Sequence, residues 1–253
     1  MKSIYERQNL FFYDGVYNPS AKNGVWAECP ILALLADPNL GTVFYEDFVN
    51  YVGRNSSTFL GGYVTSLSSS GTMGITDAED GVLHLDSGGV TAGHGITVQK
   101  VGERNALASD KELWLEAKFK VGSVSKANIF IGLAETNSDL MVDGDLDASS
   151  EYLGFGVESG GGGSLKLICA NGATELSDVV ANLTSDTYVR AGIHVDKDLV
   201  ITAFINDAEV TLTNVVTAYL PDALMKPTFI CQSDGSAEQP TLDVDYMKVV
   251  QIR

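Results

Sequence analysis

TLDVDYMKVVQIR, residues 241–253, is the stretch that decides the fold. Apolar and polar residues alternate from Leu242, which puts Leu242, Val244, Tyr246 and, further on, Val249 on one face. Asp243, Asp245 and Lys248 then look the other way. A strand of this kind belongs to a sheet with one face on a core and the other in water.

Upstream the same period recurs at short spacing from Val43 onward. In residues 112–121, ELWLEAKFKV, Leu113, Leu115, Ala117, Phe119 and Val121 face one way. Glu112, Trp114, Glu116, Lys118 and Lys120 stand opposite, whereas a helix would scatter both sets around its circumference. Further strands are expected in GTVFYEDFV, FLGGYVTSL, GTMGIT, GVLHLDS, GITVQKV, ANIFIGLAET, EYLGFGVES, SLKLICA, YVRAGIHVD, DLVITAFIND, EVTLTN and KPTFICQS. The glycines at 160–163, the link 195–199 and Asn206-Asp207 supply hairpin turns. Many short antiparallel strands with polar outer faces predict an all-β protein, a sandwich of two antiparallel sheets. No internal repeat of constant period points to a propeller or solenoid.

A chain of 253 residues, 45% of them hydrophobic, is long enough for one large all-β domain, and 26 glycines against 6 prolines suit many tight turns. The net charge of −17 opposes binding to nucleic acid or to anionic membrane surfaces, and no basic cluster offsets it. No apolar run approaches the roughly 20 residues a membrane helix needs, and the opening MKSIYERQNL lacks the apolar core of a secretory signal. Cys29, Cys169 and Cys231 form no Cys-x-x-Cys pair and are expected as free thiols in a reducing compartment, Cys169 and Cys231 buried within their apolar runs.

Residues 1–42 read differently from 43–253. The first part has three basic and four acidic residues, a net of −1, leaving −16 for the remainder. Its aromatics, among them Phe11, Phe12, Tyr17 and Trp26, show no period-two alternation, so an extended N-terminal arm is expected. One short helix is expected over residues 30–36, opened by Pro30 and stopped by Asp37-Pro38. An aromatic, nearly neutral arm lies either across its own domain or across a partner.

The strand LDVDYMKVVQ resembles the terminal strand of concanavalin-like jelly rolls, a group that includes laminin-G-like domains, legume lectins and laminarinases. ELWLEAKFKV, IFIGLAET, YLGFGVES and VITAFIND resemble core strands of that fold in the same order. The resemblance covers residues 43–253 and implies a jelly-roll β-sandwich. A narrower one joins CPILALLADPNLGTVFYEDF, residues 29–48, to the jelly roll, an arrangement similar to virion proteins of tailed bacteriophages. It implies a non-enzymatic protein that decorates or stabilises a capsid surface, made in the host cytoplasm and partnered by the major capsid protein. It further implies a homo-oligomer, with a trimer the suggested form, and the aromatics Phe11, Phe12, Tyr17 and Trp26 are then the expected contacts of the arm with the capsid or a neighbouring copy.

The alternative expectation is a lectin-like carbohydrate-binding module, for which Trp114 and a few tyrosines are the candidate platform residues. No cofactor is implied. Asp143, Asp145 and Asp147 in DGDLD raise the question of calcium, but Ala148 and Gly154 stand where an EF-hand loop needs glycine and glutamate, so a solvated acidic loop is expected and no metal is assigned. Retaining glycoside hydrolysis needs carboxylates about 5 to 5.5 Å apart, and the laminarinase pattern Glu-x-Asp-x-x-Glu is absent. Glu112 and Glu116 would stand roughly 13 Å apart on a solvated strand face. His84, His94 and His194 have no metal-like spacing, His84 and His194 reading as ordinary sheet residues; no Gly-x-Ser-x-Gly elbow accompanies them, and no catalytic residue is assigned.

Overall fold

A computed structural model of the protein describes residues 12–13, 16–17, 24–27, 29–49, 62–68, 71–76, 81–102, 104–214, 219–235 and 238–253. Two antiparallel sheets carry nearly all of it. The front sheet has seven strands in the order β14-β13-β12-β9-β18-β7-β4. These are β4 (Tyr63–Ser68), β7 (Gly95–Lys100), β9 (Ala127–Ala134), β12 (Glu151–Val157), β13 (Ser164–Asn171), β14 (Glu175–Asn182) and β18 (Lys226–Ser233). The back sheet has eight strands, in the order β17-β16-β15-β8-β19-β6-β5 with β3 also paired to β19. They are β3 (Gly41–Glu46), β5 (Thr72–Thr76), β6 (Val82–Asp86), β8 (Leu113–Gly122), β15 (Val189–Val195), β16 (Ile201–Ile205), β17 (Ala208–Val210) and β19 (Thr241–Ile252). Two small hairpins, β1 (Phe12–Tyr13) with β2 (Val16–Tyr17) and β10 (Met141–Val142) with β11 (Asp145–Leu146), form sheets of their own. The short helix α1 spans Ile31–Ala36, with Pro30 at its N-cap and Asp37 at its C-cap.

The core lies between the sheets. From the back sheet come Leu115, Phe119, Leu242 and Val244, and from the front sheet Ile131, Leu153, Phe155 and Phe229. Each fully buried side chain of this size contributes about 1.5–3 kcal/mol. The alternation of residues 112–121 holds throughout, with Leu113, Leu115, Ala117, Phe119 and Val121 all in this core.

The last strand departs from its expected facing at one residue. Val244 pairs with Phe119 and Tyr246 with Lys118, so Asp245 is an extra residue in a β-bulge. The bulge resets the phase: Met247 and Val249 enter the core after Leu242 and Val244. Tyr246, expected inside, therefore points outward, where its hydroxyl donates to Glu116 Oε1 at 2.7 Å. Strand β14 escapes the period-two reading because its sequence, ELSDVVAN, has no clean alternation, and its partner β13 carries a register shift at Leu165/Lys166.

Candidate functional site

Each sheet also has an outer face, and the chain folds back over both. On the back sheet, outward residues Trp114 and Val250 are covered by Val25, Cys29 and Leu34, with Trp26 and Ile31 packed at the margin. Gly192 makes the seat for this covering: a Cβ placed there would stand 3.0 Å from the Val25 Cβ. Trp114 is fully buried and stacks on His194, its cross-strand partner, with ring centroids 4.9 Å apart and planes at 9°.

This arrangement relocates several residues singled out from the sequence. Trp114 is no exposed platform, because Val25, Cys29 and Leu34 lie over it. Trp26 packs on the protein's own back sheet. Phe11 lies outside the described residues, and of Phe12 and Tyr17 only the backbone is described, in β1 and β2. Glu116 is not solvated but 5% exposed, and burial raises its carboxyl pKa against the opposing effects of Tyr246, Trp26 and Lys248. The Trp26 indole Nε1 nevertheless makes no hydrogen bond of regular geometry. Glu112 meets His194 Nε2 at 3.4 Å. His84 Nδ1 lies 2.5 Å from Asp243 Oδ1, and Lys120 Nζ 3.3 Å from Asp243 Oδ2, so this histidine belongs to an ionic group rather than being a plain sheet residue.

On the front sheet the covering comes from residues 135–150, the connection between β9 and β12. Its Leu140, Met141 and Leu146 settle on the outward side chains Phe130, Tyr152, Ile168 and Ile230. DGDLD is thus a hairpin, β10 to β11, turning through Asp143 and Gly144 at φ 50° and 92°. Positive φ at both central positions is the mark of a type I′ turn, which favours such residues. Asp147 caps its own loop, accepting from Ser149 N at 3.0 Å and Ser149 Oγ at 2.7 Å. Among the described residues no three His, Cys, Asp or Glu side chains converge as a metal site.

Side-chain amides tie this connection down. Gln99 Nε2 donates to Glu135 O at 2.9 Å and to Thr228 Oγ1 at 3.1 Å, while Gln99 Oε1 accepts from Asn137 N at 3.3 Å. Lys226 Nζ donates to Thr136 Oγ1 at 2.6 Å, and Gln232 Nε2 to Met141 O at 2.8 Å.

Between the tied connection and strands β4 and β7 a hollow of about 260 Å³ stays open. Ser66, Ser68, Thr97, Asp139, Asp143 and Gln232 give it polar walls, and Ile96, Met141 and Val142 an apolar side. Among the described residues no lysine, arginine or histidine lines it. None of these residues except Asp143 stood out in the sequence. The available signal was the polar half of the alternation in YVTSLS, GITVQK and KPTFICQS, which marks an outward face without saying that a loop will roof it.

No protein-family model matches the chain, and no curated protein matches its sequence. Solved structures do. The carbohydrate recognition domain of Emp47p matches with a TM-score of 0.54 at 11% identity, over 84% of this chain and 97% of that one. An endo-1,3-beta-glucanase from Streptomyces sioyaensis matches with a TM-score of 0.57 at 10% identity, over 84% and 96%. SO2946, a protein of unknown function from Shewanella oneidensis MR-1, matches with 0.58 at 14%, over 94% and 95%. Together with the two antiparallel sheets, this likeness establishes a concanavalin-like β-sandwich.

Proposed function

We propose that this protein is a carbohydrate-binding module of lectin type that holds a neutral sugar, without cleaving it, in the hollow on the front sheet. The observation that carries the reading is the lining. Hydroxyls of Ser66, Ser68 and Thr97 and the carboxylates of Asp139 and Asp143, with no cationic side chain beside them among the described residues, suit a ligand rich in hydroxyls and poor in charge. The size suits one or two sugar rings, below the roughly 300–1,000 Å³ of drug-sized sites. The Emp47p domain, a carbohydrate recognition domain by name, lends the fold a precedent. Glu112 and Glu116 stand on the other sheet, away from the hollow, which favours binding over hydrolysis.

A glycan array, followed by calorimetry on whatever binds, tests the reading. Neutral glycans are expected to bind, and Asp139→Ala to weaken them by about ten-fold, the effect of one lost charge-assisted hydrogen bond, with the melting temperature unchanged. Silence across the array, with and without calcium, would sink it.

A second reading, attachment to a phage capsid, is favoured by the β1 to β2 hairpin, which forms a two-stranded sheet separate from both sheets of the sandwich. Cosedimentation with capsid shells tests it: full-length protein should bind and a chain beginning near Val43 should not. Loss of neither, or binding of neither, counts against it.

A further inference from the structure

Beneath the hairpin that roofs the front sheet, two polar atoms lack partners. Asn128 Nδ2 and Gln232 Oε1 are both buried and make no hydrogen bond. Their residues are 1% and 3% exposed and stand directly opposite each other in the β9 to β18 ladder. Both face outward, in phase with Phe130 and Ile230 of the outer cluster. Gln232 lines the hollow. Over Asn128 sits Gly144, so close that a Cβ there would come within 2.2 Å of Nδ2.

A donor and an acceptor stranded in this way destabilise the closed arrangement, since each has given up water for nothing. The hairpin that strands them is anchored at its base, where Met141 and Leu146 pack on the outer cluster and Gln232 Nε2 donates to Met141 O, and is lightly held at its tip. Its ladder has two residue pairs. Its tip is fastened by Ser159 N donating to Gly144 O at 3.0 Å and by a long 3.5 Å contact from Leu146 N to Glu158 Oε1. Val142 beside the tip is 55% exposed. Segments with few bonds and an exposed tip open locally at low cost.

We propose that the β10 to β11 hairpin is a lid on the hollow and that Asn128 and Gln232, uncovered when it lifts, read one hydroxyl of the ligand between them. A hydroxyl accepts from Asn128 Nδ2 and donates to Gln232 Oε1 through one oxygen. An ether oxygen satisfies only the first and an ammonium only the second. The hydroxyl-reading half of this inference rests on the glycan reading; the lid does not.

Hydrogen–deuterium exchange on the full-length protein, alone and with laminaritetraose, maltotetraose or mannotriose, tests it. In the free protein the amides of Leu146 and Asp147 should exchange at least about ten-fold faster than those of Ile131 and Phe155 in the sheet beneath. Asn128→Leu, which removes the stranded donor and keeps the branched shape of the side chain, should slow the hairpin, and Gly144→Ala should speed it. Hairpin amides as protected as the sheet, or insensitive to Asn128→Leu, overturn the lid whether or not a sugar binds. If a probe binds, Asn128→Leu should lower its affinity by about ten-fold. Unchanged affinity overturns the hydroxyl reader while the glycan reading stands. If no probe binds, the glycan reading and its hydroxyl reader fall together, and the lid is decided by the free-protein exchange alone.

Discussion

His84 ties the stability of this protein to pH through one contact. Its bond to Asp243 raises the imidazole pKa above its ordinary 6.5, and burial only partly opposes this. For Asp243 burial pushes upward, yet the bonds from His84 and Lys120 outweigh it and hold the carboxyl below 3.8. A histidine with a raised folded pKa stabilises fully below its unfolded value and loses that contribution as pH rises through the folded one. An aspartate with a lowered folded pKa stabilises above its unfolded value and loses the contribution as pH falls. The ion pair therefore acts between about pH 4 and 6.5 and fades above. His84→Asn should lower urea stability by about 1 kcal/mol at pH 5.5 and by much less at pH 9, the side chain being partly exposed. Equal losses at both values would mean that His84 acts by packing. The three cysteines give a simpler expectation. Burial pushes Cys29 and Cys169 up to about 12 and raises Cys231 as well. Ellman's reagent should find no thiol in the native protein and three in urea, whereas rapid labelling of the native protein would show that residues 25–34 leave Cys29 open.

Elements were legible wherever one face met the core and the other met water. β8 keeps the alternation over its whole length, so its core face was readable residue by residue even though Trp114 and Glu116 on its other face are covered. β19 keeps the alternation only up to Val244, because a bulge is a backbone insertion that no side-chain pattern announces. The sheet's outer faces were illegible for a different reason. Trp114, Glu116 and Gly192 read as a solvent face, yet a remote segment of the chain packs there, and period-two patterning cannot foresee what covers a strand. Gly192 is the residue that admits the covering. Replacing it with valine puts side-chain atoms where Val25 sits, so residues 24–27 must lift or the sheet must deform. The expected cost is about 1–3 kcal/mol, with tryptophan emission shifted to the red as Trp114 gains water. A variant as stable as the parent and with unshifted emission would show that Val25 contributes nothing to the seat.

Across the molecule the two-sheet sandwich followed from local pattern, whereas the order of strands within each sheet and the hollow did not, because both depend on contacts between remote segments, the hollow on β4, β7, β18 and residues 138–143. Net charge, by contrast, is a whole-molecule property that sequence states outright, and it yields a last expectation. With 33 acidic against 16 basic side chains, the folded state compresses an excess of −17. Self-repulsion of that kind weakens when salt shortens the Debye length to about 10 Å at 0.1 M. Salt also screens attractive pairs such as Lys118 with Asp245 and Lys166 with Glu158. Surface pairs contribute only about 0–1 kcal/mol each, and they engage a minority of the acids, so repulsion should prevail. Raising sodium chloride from about 20 to 300 mM at pH 7 should therefore increase the melting temperature by a few degrees, roughly 2–4 °C for each kcal/mol gained. The increment should shrink as pH approaches the sequence pI of 4.3, where the excess charge disappears and the attractive pairs alone are left to screen. A melting temperature that falls with salt at pH 7 would mean that the paired lysines outweigh the unpaired carboxylates. One that rises equally at both pH values would point to salting-out of apolar surface instead of charge.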